Sequence, residues 1–266
     1  LRYFFHIAYH GRHYRGWQRQ PDVSSVQEVV EFTLSKILKK PISIIGCGRT
    51  DAEVHAAQFF FHIDLDEWPA FDLLFRLNKA LPEQIAVFDI IPVQTRSHAR
   101  FDAVQRKYDY FIHTQKDPFL RENSSFYQID NLDFGKIKMA AALLPTYKDY
   151  RAFCTQPDKN EHTLCKVSEA LFYKNADGSR LRFHITSNRF LAKMIRILVG
   201  QLLKIGKGEL SVDEFESHLI SLEPPKLFEV AHPTGLFLSK VTYPYLNLKP
   251  RASYMLALEG ESWEAI

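Results

Sequence analysis

Apolar and polar positions in this chain repeat with two periods, and the switches between those periods outline its elements. Residues 2–9 alternate with the period of two that a strand shows when one face is covered, and His10-Gly11-Arg12 begins a loop. Ser25-Val26-Gln27-Glu28 has the spacing of a capping box, in which the serine hydroxyl and the glutamate carboxylate satisfy free amides at a helix start. Val26, Val29, Val30, Leu34, Ile37 and Leu38 continue as an apolar stripe at helical spacing, which Pro41 stops. A β-branched run at 42–48 and an aromatic-rich run at 58–63 predict strands. Residues 71–81 predict a helix ended by Pro82, and 85–93 close the set as a strand.

The same order recurs, with longer insertions, in the second half. A strand is predicted at 106–114 and a helix at 133–144. Runs at 164–173 and 180–186 flank Asp177-Gly178, a strong hairpin turn signal. Helices follow at 189–204 and 211–221, and the last strand at 236–243. The pattern is therefore α+β, two βαββαβ halves of the ferredoxin-like type with a cleft between them. The first half covers 1–103, the second 104–246, and a C-terminal tail 247–266.

Composition changes this picture little. At 46% apolar and 24% charged residues the balance is that of an ordinary globular chain. No run reaches the roughly 18 apolar residues of a transmembrane helix, and the alternating start carries no cleavage signature, so neither a membrane span nor a signal peptide is expected. Cys47, Cys154 and Cys165 are scattered, and read as reduced thiols rather than a disulfide or zinc framework.

Charge says more. The net +3 hides segments of +4 at 1–51, +3 at 96–107 and +5 at 189–208. Segregation of this kind suggests a basic face for a polyanion, although three unrelated solvated patches give the same count.

The densest cluster of reactive groups is Gly46-Cys47-Gly48-Arg49-Thr50-Asp51-Ala52-Glu53-Val54-His55-Ala56, between two predicted strands. Its glycines allow a turn or the close approach of a ligand. A dinucleotide loop is excluded: no helix follows, the third glycine is absent and there is no Walker lysine. A polar hairpin loop whose Asp and Thr cap backbone amides remains an alternative. In the predicted helix at 189–204, Arg189, Lys193 and Arg196 fall at i, i+4 and i+7, on one side, with Gly200 continuing the line. A guanidinium in a packed setting needs an anion, either a carboxylate from the other half or a phosphate, unless these side chains snorkel to water.

Tyr108 and Tyr110 alternate on a strand, so they share a face, and a tyrosine ring can stack on an exposed base. Phe59-Phe60-Phe61 reads as core, because the signature of an RNA-recognition module is missing. His6, His10 and His13 do not form one ligand face, no nucleophile elbow is present, and no metal site is expected.

Taken in order, several blocks resemble the tRNA pseudouridine synthase A family. They are Tyr9-His10-Gly11, Gly16-Trp17-Gln18-Arg19-Gln20, Ser25-Val26-Gln27-Glu28 and Gly48-Arg49-Thr50-Asp51. His98-Ala99-Arg100-Phe101, Arg106-Lys107-Tyr108-Asp109-Tyr110, Met194-Ile195-Arg196 with Val199-Gly200, and Gly235-Leu236-Phe237-Leu238 continue the series. The resemblance implies the pseudouridine synthase fold and a cofactor-free isomerase that detaches uracil from its ribose and rejoins it through carbon. It implies that Asp51 is the essential carboxylate, Tyr108 the base-stacking ring and Arg196 the partner of the aspartate. Arg19, Arg49, Arg100, Arg106, Arg189 and Lys193 are the candidates for contacts with substrate RNA. A homodimer in the cytoplasm, acting on the anticodon arm of tRNA, is what family membership implies. His10 stands where the family usually has Asp, Glu53 where it usually has Gly, and Lys193 where a His is common. The departures leave two alternatives, a non-catalytic RNA binder and a synthase for another RNA.

Overall fold

The computed structural model describes residues 1–225, 229–252 and 263–266. In chain order the elements are β1 (Arg2–Tyr9), α1 (Val26–Leu38), β2 (Ile45–Gly46), β3 (His55–Asp64), α2 (Leu73–Ala80), β4 (Ile85–Val93) and β5 (Gln105–His113). They continue with β6 (Ser125–Phe126), α3 (Phe134–Leu143), β7 (Val167–Lys174), β8 (Arg180–Ser187), α4 (Met194–Lys207), α5 (Val212–Ser221), β9 (Leu236–Thr242) and β10 (Glu264–Ala265). The architecture is α+β with mostly antiparallel pairing, as expected. The chain forms two compact units, Leu1–Arg106 with Phe237–Leu258, and Lys107–Leu236 with Glu259–Ile266. Of the tail expected at 247–266, residues 253–262 lie outside the described residues.

In the first unit the sheet order β2-β3-β1-β4 is wholly antiparallel, which is the ferredoxin-like arrangement. β9 adds to β3 in parallel, Phe237 opposite His55. β3 is buried along nearly its whole length, so both faces are covered and its residues show no apolar-in, polar-out alternation. Phe59 lies against Trp17 (4.0 Å between rings) and Phe61 stacks on Phe5. Phe60, on the other face, stacks on His6. The aromatic triplet is core, as read. Gln58 ties this face to β9 by accepting from Val241 N (3.0 Å).

One strand boundary moved for a physical reason. The strand expected at 42–48 shrinks to β2 because side chains of α1 take its amides. Ser35 Oγ accepts from Ile42 N (2.9 Å), and Glu31 Oε1 from Ile44 N (3.0 Å). The capping serine of α1 accepts from Glu28 N, and a full reciprocal box, not read from sequence, joins Ser211 to Glu214 at α5.

His62 on β3 is a buried base held neutral. Its Nδ1 accepts from Ala99 N (3.2 Å), while Nε2 is buried with no partner among the described residues. Burial, with Arg2 and His98 adding to it, pushes its pKa from 6.5 down to about 4. A base depressed in the fold is protonated first in the unfolded chain. Its contribution is therefore complete above pH 6.5 and is lost as pH falls from 6.5 toward 4. Denaturation midpoints measured across that window should fall on the acid side, and His62→Leu should flatten that limb; an unchanged slope in the variant contradicts the assignment.

The second unit repeats the first three places of the same order as β7-β8-β5, with β10 outside β7 and β6 beside β5. β7 and β8 form the expected hairpin. α3 packs against α4, α5 and β7. Four charged or titratable side chains line one face of this sheet. Asp109, fully buried, receives Arg182 Nε at 2.8 Å and lies 3.0 Å from His184 Nδ1. The other ring nitrogen of His184 is 2.8 Å from Glu169.

Candidate active site

The reactive cluster at 46–56 is a loop fixed from both sides. Cys47 N donates to Phe60 O (2.7 Å), Thr50 Oγ1 meets the buried Tyr9 hydroxyl (2.8 Å), and Trp17 N donates to Thr50 O (3.3 Å). Glu53 N donates to Tyr14 O (3.1 Å) and Val54 N to Asp51 O (3.2 Å). Gly11 N donates to His55 Nδ1 (3.0 Å), and His10 packs its ring 4.2 Å from that of His55. Asp51 thus has a held backbone and a partly exposed side chain, whereas Arg49 is exposed.

The glycine reading changes. Gly46 is approached by Trp17 of this same chain: a Cβ there would lie 2.6 Å from the indole nitrogen. The positive backbone angle falls instead on Glu53 (φ 65°). An L residue in that region is held at a cost of about 1–2 kcal/mol. Glu53→Gly, which also loosens the unfolded chain, should raise stability by about 1 kcal/mol. Thermal unfolding measures it, and a lowered Tm refutes the strain.

The second unit carries the other candidates. Tyr108, buried on β5, meets Phe190 edge-on at 5.1 Å. Arg196 lies in the first turn of α4, its Nε donating to Ala231 O (2.6 Å). The helix expected from 189 begins only at Met194, because Lys193 sits in the left-handed region (φ 58°) and breaks the right-handed run. Arg189 and Lys193 therefore do not share a helical face with Arg196, and that expectation is corrected. Arg189 Nη1 lies 3.2 Å from His162 Nδ1, and Lys193 is exposed. Gly200 admits the chain's own backbone: a Cβ would meet Glu229 O at 2.2 Å.

Other cations proposed for RNA have partners inside the chain. Arg106 donates to Cys47 O (2.8 Å), Arg100 O (2.9 Å) and Ala103 O (3.1 Å), which locks the Asp51 loop to the start of β5. Arg19 pairs with the buried Glu31 (3.0 Å). Arg100 is exposed, its guanidinium 5.8 Å from the Phe101 ring, and that ring stacks on His98. Sequence reading missed Tyr127 and Glu31, and gave no separate role to Asp109 or to the Tyr110 hydroxyl. The alternation at 108–110 placed Tyr110 on the same face as Tyr108, but nothing local distinguished a stacking ring from a buried hydroxyl.

His6, His10 and His13 have separate settings. His6 is buried with Nδ1 2.8 Å from Asp89, His10 packs on His55 and His13 is exposed. No helix among the described residues is long and apolar enough to cross a membrane.

Comparison with known proteins gives a consistent result. A family model described as tRNA pseudouridine synthase matches residues 6–102 and 140–244. The chain is 39% identical over 246 residues to tRNA pseudouridine synthase A of Porphyromonas gingivalis, covering 91% of this chain and 97% of that protein. It is 38% identical over 247 residues to tRNA pseudouridine synthase A of Parabacteroides distasonis, covering 91% and 96%. The protein of that name from Exiguobacterium sibiricum is 35% identical over 240 residues, covering 90% and 95%.

Proposed function

We infer the details of the chemistry from one premise: this chain belongs to the tRNA pseudouridine synthase family, and is an isomerase that forms pseudouridine in tRNA. We propose that Asp51 is its essential carboxylate, Tyr108 the ring that stacks on the extruded uracil, and Arg196 the cation that pairs with the aspartate. The observation that carries the reading is the loop at 47–55, tied to β1, β3 and the segment 11–17 so that the Asp51 backbone is fixed before substrate arrives. Preorganisation of this kind lets a carboxylate meet a reacting atom without a further ordering step.

A uridine inside a stem is out of reach until it leaves the stack, which requires a few kcal/mol and is eased by a ring that receives the base. The bond from N1 to C1′ then breaks, the base turns, and a bond forms from C5 to C1′. The proton on C5 is lost and N1 gains one, so the product is an isomer and no external energy source is required. Asp51 takes part as an anion, acting as nucleophile or base. Arg49 and Arg100, both exposed, are assigned to the phosphate backbone, with Lys193, while Arg19, Arg106 and Arg189 act through the partners they hold. We place the targets in the anticodon arm, and the enzyme in the cytoplasm as a homodimer.

The decisive experiment incubates the purified chain with unmodified tRNA carrying tritium at C5 of uridine. Release of tritium is expected, and its absence overturns the assignment. Sequencing-based mapping of the product should find pseudouridine in the anticodon arm. Sedimentation at micromolar concentration should show a dimer.

A further inference from the structure

We infer that Tyr110 and Tyr127 are positioning residues for Arg196, acting through the backbone of residues 231–232. The inference rests on the role proposed above for Arg196. That guanidinium is held in part by backbone outside its own helix. Its Nε donates to Ala231 O (2.6 Å), and Ala231 N donates back to Arg196 O (3.0 Å), so residue 231 clasps the arginine at both ends.

Residue 231 is in turn held by its neighbour. His232 O receives the Tyr110 hydroxyl at 2.7 Å, and His232 N donates to the Tyr127 hydroxyl at 3.0 Å. The two hydroxyls are 3.3 Å apart. A hydroxyl has one proton and a carbonyl only accepts, so the Tyr110 proton goes to His232 O. Ser125 Oγ, 2.9 Å from the Tyr110 hydroxyl, accepts from Gly235 N (3.0 Å) and fastens the segment beyond Pro233. On the other side the segment runs against α4 at Gly200, one helical turn from Arg196, where only a glycine leaves room for Glu229 O. Burial raises the pKa of both phenols, which keeps their protons in place at neutral pH.

The consequence is a planar donor fork whose Nε is directed by a backbone carbonyl. Rings alone would fill the same space without the bonds that the hydroxyls make to His232. Displacement of a positioned group by about 1 Å can lower turnover by about a hundredfold.

The test uses Tyr110→Phe and Tyr127→Phe in the full chain. Each should lower kcat about tenfold or more, with KM changed by less than about threefold. The second readout is the Nε–H resonance of Arg196, assigned by its disappearance in Arg196→Lys. It should shift and exchange with water about ten times faster in the tyrosine variants. Tyr110 is fully buried, so if its variant does not fold, Tyr127→Phe, at a half-buried position, carries the test. An unmoved Arg196 resonance in a folded variant overturns the inference whatever happens to kcat. A moved resonance with wild-type kcat removes Arg196 from the chemistry and the positioning role with it, while the tritium-release result stands apart.

Discussion

Replacing Asp51 by asparagine should abolish pseudouridine formation while leaving tRNA binding nearly intact. The substitution keeps volume and hydrogen-bonding reach but removes the negative charge, so the residue can act neither as nucleophile nor as base. The loop should survive it, because the bonds made by Thr50, Glu53 and Val54 and by the Asp51 carbonyl are left in place by the substitution. Turnover should fall by about 10³-fold or more, the scale seen when a reacting group is removed from a site otherwise intact. Affinity should change by less than about tenfold, or about 1.4 kcal/mol. Tritium release and filter binding on the same preparation measure the two quantities. Product formed at a rate within about tenfold of wild type would remove Asp51 from the chemistry.

The largest effect on stability is expected at Asp109, the residue after the proposed stacking ring. Asp109→Ala leaves the Arg182 guanidinium, only 10% exposed, without its carboxylate, and deprives His184 of one of its two acidic neighbours. Removing one member of a buried pair is strongly destabilising because the remaining charge stays desolvated, at about 3 kcal/mol or more. Urea unfolding should show this as a lower midpoint with an unchanged slope. A change below about 1 kcal/mol would mean that water reaches Arg182 and supplies what the carboxylate does. The prediction bears on function as well, since Asp109 lies between Tyr108 and Tyr110 on β5 and braces that strand against β8.

The helices and strands were largely legible because their signals are local. Alternation at 2–9 and the proline-bounded run at 85–93 gave β1 and β4 their bounds, and Ser25 with Glu28 marked the start of α1. Where the reading failed, side chains distant in sequence had taken over backbone groups. Glu31 and Ser35 claim the amides of Ile44 and Ile42 that a longer strand would have used. Lys193 adopts a left-handed angle that its residue type does not announce, so the basic row at 189–196 is not one helical face. The candidate site followed the same division. Gly48-Arg49-Thr50-Asp51, Tyr108 and Arg196 are recognisable as short ordered blocks, whereas Tyr110 and Tyr127 reach the 231–232 segment only across more than a hundred residues.

By itself, then, the sequence named the candidates for the reacting groups and set the periodicity of the elements, since both are read from a residue and its near neighbours. The tertiary structure decided which cations are already engaged, as Arg19 is by Glu31 and Arg106 by three carbonyls. It also decided that the strained angle belongs to Glu53 and that Gly46 and Gly200 admit the chain itself. Burial and hydrogen-bond partnership are set by whichever segments the fold brings alongside, and no spacing along the chain encodes them.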